Sequence, residues 1–220
     1  MAETTRPGAT LVIGLGRFGA ALAVTLDRLG REVLAVETDS RKVERWSGRI
    51  PIVEADSSNP VALDQIGAAD FPTAVVGVGT SIEASVLITA NLVDIGTRDI
   101  WAKAISAEHG RILKRIGAHH VVYPEADAGQ RVAHMVSGRM MDYIEMEDGF
   151  AVVKMRPPRE THGFTVGEAQ IGKKYDINVI GVKSPGEPFE YATAETRIQA
   201  DDVLIVSGDS ARLERFAMRP

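Results

Sequence analysis

The stretch TLVIGLGRFG at residues 10–19 decides the fold. A short apolar run leads into glycines spaced as G-x-G-x-x-G, and a helical apolar pattern follows. Gly14 permits a tight turn, Gly16 lets the backbone approach a diphosphate, and Gly19 lets helix and strand pack closely. Free N–H groups at the start of a helix attract anions. The stretch therefore predicts a strand, a nucleotide-binding loop and a helix.

The alternation of strand and helix continues to about residue 123. Apolar runs predict strands at 10–13, 32–36, 52–54, 74–78, 100–103 and 120–122, and amphipathic runs predict helices at 18–29, 41–47, 60–66, 82–95 and 108–116. Such alternation is typical of right-handed βαβ units. We therefore expect an α/β fold with a Rossmann-like doubly wound parallel sheet.

A different pattern begins beyond this region. Residues 127–141 predict a further helix, with more apolar side chains than a lone surface helix needs, so it could pack against a partner. The rest is rich in strands and turns, with strands predicted at 151–155, 179–182, 191–193 and 203–206. We predict a nucleotide-binding domain over 7–142 and a small α+β regulatory domain over 145–220.

Composition and charge exclude several classes of function. The 220 residues contain 25 Lys and Arg against 30 Asp and Glu, a net charge of -5, so we expect no nucleic-acid partner. The chain has no cysteine, which excludes disulfides, thiolate metal sites and thiol catalysis. It shows neither a secretory signal nor an apolar run long enough to span a bilayer. We therefore expect a soluble cytoplasmic protein.

The glycine loop and the end of the second strand supply the first candidate ligand contacts. Arg17, at the helix start, could bind a terminal phosphate, or could be an ordinary solvated arginine. Glu37 ends the second strand, where a carboxylate accepts hydrogen bonds from ribose hydroxyls and disfavours a 2′-phosphate, although it could be a plain exposed side chain. The candidates in the loop are Gly14, Gly16, Arg17, Phe18 and Gly19.

Later loops add candidates at the carboxyl edge of the predicted sheet, where ligands of open α/β folds bind. Asp56 and Ser57 follow the third strand and could contact adenine or ribose, or could form a local turn. Gly79 lies in the loop after the fourth strand, and Lys103 ends the fifth strand, where it could meet phosphate. Glu125 begins the last helix of this half, where the helix dipole alone would favour a carboxylate.

The residues do not suggest a catalytic reaction. The five histidines lack metal-ligand spacing such as H-E-x-x-H, and no lysine follows Tyr143 or Tyr175 by four positions as in short-chain dehydrogenases. The last 75 or so residues contain no evident triad or paired carboxylates. We therefore expect a binding protein, with an NAD-dependent oxidoreductase as the alternative.

These motifs resemble the regulator of potassium conductance (RCK) family, in particular the cytosolic subunits of bacterial Trk/Ktr potassium-uptake systems. The resemblance covers nearly the whole chain, with the more specific motifs in the first part. The matching segments are LVIGLGRFG at 11–19, EVLAVE at 32–37, Asp56, IWAKA at 100–104, IGA at 116–118 and YPE at 123–125.

The resemblance implies a function and a set of ligands. Gly14, Gly16, Arg17 and Gly19 would hold phosphates, Glu37 the ribose, and Asp56 and Ser57 the adenosine part. The ligand would be ATP or ADP, with NAD or NADH as the alternative, and Glu125 would bind Mg²⁺ or Ca²⁺ when a triphosphate is present. Some relatives bind cyclic di-AMP in the C-terminal domain.

The resemblance also implies an assembly. Such subunits form homodimers within an octameric ring, which docks on the cytoplasmic face of a membrane potassium channel and gates it according to the bound nucleotide. A nucleotide sensor with another partner remains an alternative.

Overall fold

The computed structural model describes residues 8–136 and 139–220. The chain divides into two compact units, one ending at Glu125 and the other beginning at Ala126. This division falls inside a helix, because helix α6 spans Pro124–Val136.

The first unit is built on a parallel sheet. In its described part the sheet has six strands in the order β3-β2-β1-β4-β5-β6. The strands are β1 (Thr10–Ile13), β2 (Val33–Glu37), β3 (Ile52–Glu54), β4 (Thr73–Val76), β5 (Asp99–Lys103) and β6 (His120–Val122). The order reverses between β1 and β4, which is where open α/β sheets form their ligand crevice. The predicted doubly wound sheet is confirmed.

Helices connect successive strands of this sheet. They are α1 (Arg17–Arg28), α2 (Ser40–Trp46), α3 (Pro60–Gln65), α4 (Ile82–Asp94) and α5 (Ala107–Ile116), with a 3-10 turn at Ala68–Asp70. Short polar side chains fix several helix starts by accepting hydrogen bonds from backbone N–H groups. Asp39 caps α2 in this way, Ser81 caps α4 and Ser106 caps α5. The N-cap residue of α1 is Gly16, which provides no side-chain cap.

The core of the first unit lies on both faces of the sheet. Alternate residues of a strand point to opposite faces, so Val12 packs in one apolar cluster while Leu11 and Ile13 pack in another. The larger cluster also contains Leu92 of α4 and Leu113 of α5. Burial on both faces explains why these strands are continuous apolar runs.

The second unit contains an antiparallel sheet. Its described part has five strands in the order β10-β9-β11-β8-β7. They are β7 (Met140–Glu145), β8 (Phe150–Met155), β9 (Ile177–Lys183), β10 (Glu190–Tyr191) and β11 (Val203–Asp209). The helices are α7 (Val166–Ala169), α8 (Ile171–Tyr175) and α9 (Ser210–Ala217), with 3-10 turns at Glu147–Gly149 and Arg159–Thr161. The predicted small α+β fold is confirmed.

The prediction of one helix over 127–141 is wrong at its C-terminal end. Helix α6 ends at Val136, and Met140 begins strand β7. Met140 pairs with Met155 of β8, and this long-range pairing outweighs the local helical pattern. Positions 137 and 138 of that prediction, and position 7 of the predicted first domain, lie outside the described residues. The domain bounds 7–142 and 145–220 stay predictions.

No helix in the described ranges is both long enough and apolar enough to cross a bilayer. The described helices therefore offer no membrane span.

Truncation of a core leucine tests the packing of the first unit. Leu113 is fully buried, so Leu113→Ala should lower the free energy of unfolding by about 2–5 kcal/mol through lost burial and a residual cavity. Leu29, 70% exposed at the end of α1, is the matched control, and Leu29→Ala should change stability by less than about 0.5 kcal/mol. Urea unfolding measures both. Equal losses would contradict the assigned core.

Candidate nucleotide-binding site

The glycine loop turns sharply between β1 and α1. Gly14 has φ +90°, a left-handed conformation that favours glycine. Its N–H donates to the carbonyl of Val36 in β2 at 2.8 Å, and an added Cβ would lie 2.9 Å from a methyl carbon of Val78. The loop therefore stays hydrogen-bonded to the sheet while it reverses direction.

Gly19 and Gly77 allow the helix to approach the sheet closely. A Cβ on Gly19 would lie 2.0 Å from the carbonyl oxygen of Gly14, which no side chain can occupy. A Cβ on Gly77 would lie 3.0 Å from the same oxygen. The packing role predicted for Gly19 thus has a geometric basis in the structure.

The start of α1 is open toward the side where a ligand would bind. An added Cβ on Gly16 has no atom within 4 Å, and this N-cap residue offers the N–H groups of the first turn no side-chain acceptor from the described part of the chain. The adjacent Arg17 side chain is exposed. An anion placed here would meet unpaired N–H groups, the positive end of the helix dipole and a guanidinium. These residues fit the phosphates of a nucleotide.

Glu37 ties the glycine loop to the second strand. Its carboxylate, 6% exposed, accepts a 2.8 Å hydrogen bond from the N–H of Leu15. The other carboxylate oxygen accepts hydrogen bonds from the N–H groups of Thr38 at 3.0 Å and Asp39 at 3.1 Å. The role of Glu37 in holding the loop is one that sequence reasoning missed.

The charge state of Glu37 follows from this environment. Burial would raise the pKa of Glu37, but the backbone donors of Asp39 and Leu15 and the ammonium of Lys42 outweigh it and lower the pKa below its ordinary value. Lys42 Nζ lies 3.2 Å from the carboxylate and is partly exposed. The carboxylate already accepts several hydrogen bonds, so a ribose hydroxyl could bind there only by displacing one of these donors.

A cavity of about 250 Å³ opens at the carboxyl edge of the sheet. Its volume is just below the roughly 300–1,000 Å³ common for ligand pockets, so it could enclose only part of a nucleotide. It brings together the predicted residues Gly14, Glu37, Asp56 and Ser57. The remaining lining residues are Ile13, Val36, Thr38, Ala55, Val78, Thr80, Ser81, Ala84 and Ile88.

Asp56 and Ser57 offer this cavity two different groups. Asp56 forms a local turn, because its carboxylate accepts hydrogen bonds from the backbone N–H and the hydroxyl of Ser58, and these lower its pKa. Ser57 is 2% exposed, and its hydroxyl has no hydrogen-bond partner among the described residues. A buried hydroxyl without a partner is unfavourable, so a ligand hydrogen bond would stabilise it.

Lys103, Gly79 and Glu125 form a second group at the same edge of the sheet. Lys103 Nζ lies 2.6 Å from a carboxylate oxygen of Glu125. A Cβ on Gly79 would lie 3.3 Å from both Cε and Nζ of Lys103, so this glycine leaves room for the lysine. The hydrogen bond from Lys103 is the main cause that lowers the pKa of Glu125, and the charge of Arg17 adds to it.

Glu125 is a limited ligand for a metal ion. The described residues contain no group of three His, Cys, Asp or Glu side chains that could hold one. A magnesium ion can, however, be bound by one carboxylate together with ligand phosphates and water. Glu125 therefore fits a cation only as a companion of bound phosphate, and that role stays a prediction.

The remaining predicted residue, Phe18, has its side chain elsewhere. It lines a separate apolar groove of about 230 Å³ with Leu22 and Trp101, so only its backbone N–H lies at the open N-terminal end of α1. The sequence missed Thr38 as a cavity residue, and from the loop after the fourth strand it singled out Gly79 rather than Thr80 and Ser81, which line the cavity. Ser81 carried a usable signal, because a serine before an apolar helical run is a typical N-cap.

Comparison with known proteins shows which family this chain resembles. Residues 10–124 match the TrkA-N domain, and residues 152–219 match the TrkA-C domain. The Ktr system potassium uptake protein C of Bacillus subtilis (strain 168) is 34% identical over 210 residues, which are 94% of this chain and 95% of that protein.

Solved structures show the same fold. A crystal structure of the GsuK RCK domain has a TM-score of 0.68 at 17% identity and covers 96% of this chain. A GsuK channel bound to NAD has a TM-score of 0.64 at 16% identity and covers 94% of this chain. This chain spans 48% and 38%, respectively, of those solved chains.

Two alanine substitutions separate the packing and ligand roles of the glycines. Gly19→Ala should lower stability by at least about 2 kcal/mol, since its Cβ would overlap the Gly14 carbonyl. Gly16→Ala should fold normally, since its Cβ meets no protein atom, and yet weaken nucleotide binding at least about tenfold by crowding the ligand. Thermal melting and titration calorimetry measure the two effects. Undiminished binding by Gly16→Ala would exclude a ligand beside that residue.

The lowered pKa of Glu37 predicts a pH-dependent stability. The ionised carboxylate stabilises the fold at pH values above the unfolded pKa, near 4.5, and this contribution is lost as pH falls through the lower folded pKa. Glu37→Gln should therefore cost about 2 kcal/mol at pH 7 and progressively less below pH 4.5. The exposed Glu54, at the end of β3, provides the control variant Glu54→Gln. Urea unfolding between pH 7 and pH 3 tests this, and a constant difference would contradict it.

Proposed function

The chain belongs to the family of proteins that carry a TrkA-N domain followed by a TrkA-C domain, and from this premise we propose that it is a cytoplasmic nucleotide-binding regulatory subunit of a membrane potassium-uptake system. The resemblance to RCK proteins found in the sequence is confirmed by these matches. The proposal rests on one edge of the sheet in the first unit. An open helix N-terminus lies there, together with the Lys103 ammonium and the Ser57 hydroxyl, which has no hydrogen-bond partner among the described residues.

The potassium role is supported by the curated relative. That Bacillus subtilis protein is named for potassium uptake, and its similarity to this chain extends over nearly the full length of both. Both domains are therefore shared, rather than a nucleotide-binding domain alone. The partner would be the membrane subunit through which the potassium ions pass.

A regulatory role fits the chemistry of the cavity better than catalysis does. Glu37 and Asp56 are the ionisable side chains among its described lining residues, and local donors lower the pKa of both. Carboxylates held ionised in this way are poor proton donors near neutral pH. The cavity is therefore suited to bind a ligand rather than to act as a general acid.

ATP and ADP are the proposed ligands, with NAD or NADH as the alternative. A ligand shifts a two-state equilibrium only by its difference in affinity for the two states, and a shift from 1:99 to 99:1 needs about 5.5 kcal/mol. An oligomer can divide that amount among its sites. The additional phosphate of ATP, bound by Arg17 and with a cation at Glu125, would supply the difference between the nucleotides. Cyclic di-AMP binding by the second unit stays a prediction.

Assembly into homodimers and an octameric ring is part of the proposal. None of the described residues of α6 is fully buried, and Val136 is 81% exposed. Val132 on the same helix is also exposed. An apolar helix side left uncovered in this way is suited to contact another copy of the chain.

Thermal shift measurements on the full chain test the ligand and the role of Arg17 together. ATP or ADP at about 100 times its Kd should stabilise the protein by about 2.7 kcal/mol, which raises Tm by roughly 5–11 °C. Arg17→Ala should remove most of the difference between ATP and ADP and leave adenosine recognition intact. The exposed Arg45 of α2 provides the control variant Arg45→Ala.

Three results would each test a separate part of the proposed function. Equal losses of ATP and ADP binding in Arg17→Ala would exclude its role at the terminal phosphate. Steady oxidation of a metabolite with NAD would favour an oxidoreductase instead. Copurification with a potassium-channel subunit, against an unrelated membrane protein as control, tests the partner.

A further inference from the structure

Lys103 is a largely buried cation with one carboxylate partner. It ends β5, is 9% exposed, and places Nζ 2.6 Å from Glu125. The Glu125 side chain is 61% exposed, so the pair joins a largely buried ammonium to an exposed carboxylate. A buried ammonium needs a counter-ion, because its removal from water is unfavourable unless the charge is paired.

The surroundings hold Lys103 more firmly than Glu125. The side chain of Lys103 lies against Gly79, where a Cβ would come within 3.3 Å of both Cε and Nζ. Glu125 lies in the first turn of α6 and is the last residue of the first unit. Burial therefore restricts the Lys103 ammonium more than it restricts the exposed Glu125 carboxylate.

The charge balance of this group favours an incoming anion. Two cations, Lys103 and Arg17, act on the single carboxylate of Glu125, as the lowered pKa of Glu125 reflects. A phosphate oxygen forms charge-assisted hydrogen bonds with lysine as a carboxylate does, and a terminal phosphate carries more negative charge. Lys103 can therefore exchange one anionic partner for another without becoming an unpaired buried charge.

We infer that Lys103 is an exchangeable counter-ion, which pairs with Glu125 in the absence of nucleotide and passes its hydrogen bond to a nucleotide phosphate, thereby freeing the Glu125 carboxylate. The inference rests on the proposed nucleotide site. It places the ligand-dependent change at the residue where the chain leaves the first unit. It also explains why a metal cation would bind Glu125 only together with phosphate, because Lys103 neutralises the carboxylate until a phosphate replaces it.

This exchange predicts opposite effects of the two substitutions on ATP binding without divalent cations. Glu125→Gln should tighten ATP binding in EDTA about three- to tenfold, because Lys103 no longer has to leave a charged partner. Lys103→Met, which keeps the length of the side chain and removes its charge, should weaken ATP binding by a similar factor. Titration calorimetry on the full chain measures the Kd values of ATP and ADP.

A double-mutant cycle separates exchange from simple repulsion between Glu125 and phosphate. Under exchange, Glu125→Gln should have little effect on the Kd of ATP in the Lys103→Met background and keep its effect in the Lys103→Arg background, where the charge remains. Simple repulsion predicts the same tightening in all backgrounds. Melting curves without ligand show whether each variant is folded, and Lys103→Gln replaces Lys103→Met if that variant is not.

The outcomes distinguish the inference from the proposed function. Tightening by Glu125→Gln that depends on a positive charge at position 103 supports exchange. Additive effects, or weaker ATP binding by Glu125→Gln in EDTA, would overturn it while leaving the nucleotide site intact. Absence of ATP and ADP binding by the unaltered chain would overturn the adenine-nucleotide proposal itself.

Discussion

The first unit depends on the close approach of Gly19 to the carbonyl of Gly14. A Cβ on Gly19 would lie 2.0 Å from the carbonyl oxygen of Gly14, so with a side chain there helix α1 could not begin directly above the end of β1. Because it does begin there, its unpaired N–H groups lie beside the crevice formed where the strand order reverses. Gly77, at the end of β4, approaches the same carbonyl and brings the neighbouring strand into this contact. Backbone packing thus determines where a phosphate can bind.

Glu37 extends this constraint from packing to charge. A buried carboxylate at the end of β2 is stable only because backbone donors compensate for its lost hydration, and one of those donors is Leu15 of the glycine loop. The loop geometry and the ionisation of Glu37 therefore support each other. A glutamate suits this position because its carboxylate can accept hydrogen bonds from donors on two sides at once.

Much of the first unit could be predicted from sequence because its signals are local. The three glycines and the buried strand β1 each depend on a few consecutive positions. Strand β7 could not be predicted, because Met140 and Tyr143 become strand residues only by pairing with the next strand, β8, whereas their own local pattern is helical. For the same reason the sequence indicated Lys103 and Glu125 separately but not their contact, which joins positions 22 residues apart.

The site has two parts with different capacities to respond to a ligand. At the adenosine end, Glu37 is hydrogen-bonded to the backbone on both carboxylate oxygens, so its interactions change little with the nature of the distal phosphates. At the other end, Lys103 and Glu125 are held by side-chain contact, and Glu125 is largely exposed. A ligand can change the state of a protein only through interactions that differ between states. In the proposed function, the Glu37 end would recognise that a nucleotide is present, and the Lys103–Glu125 end would respond to which nucleotide it is.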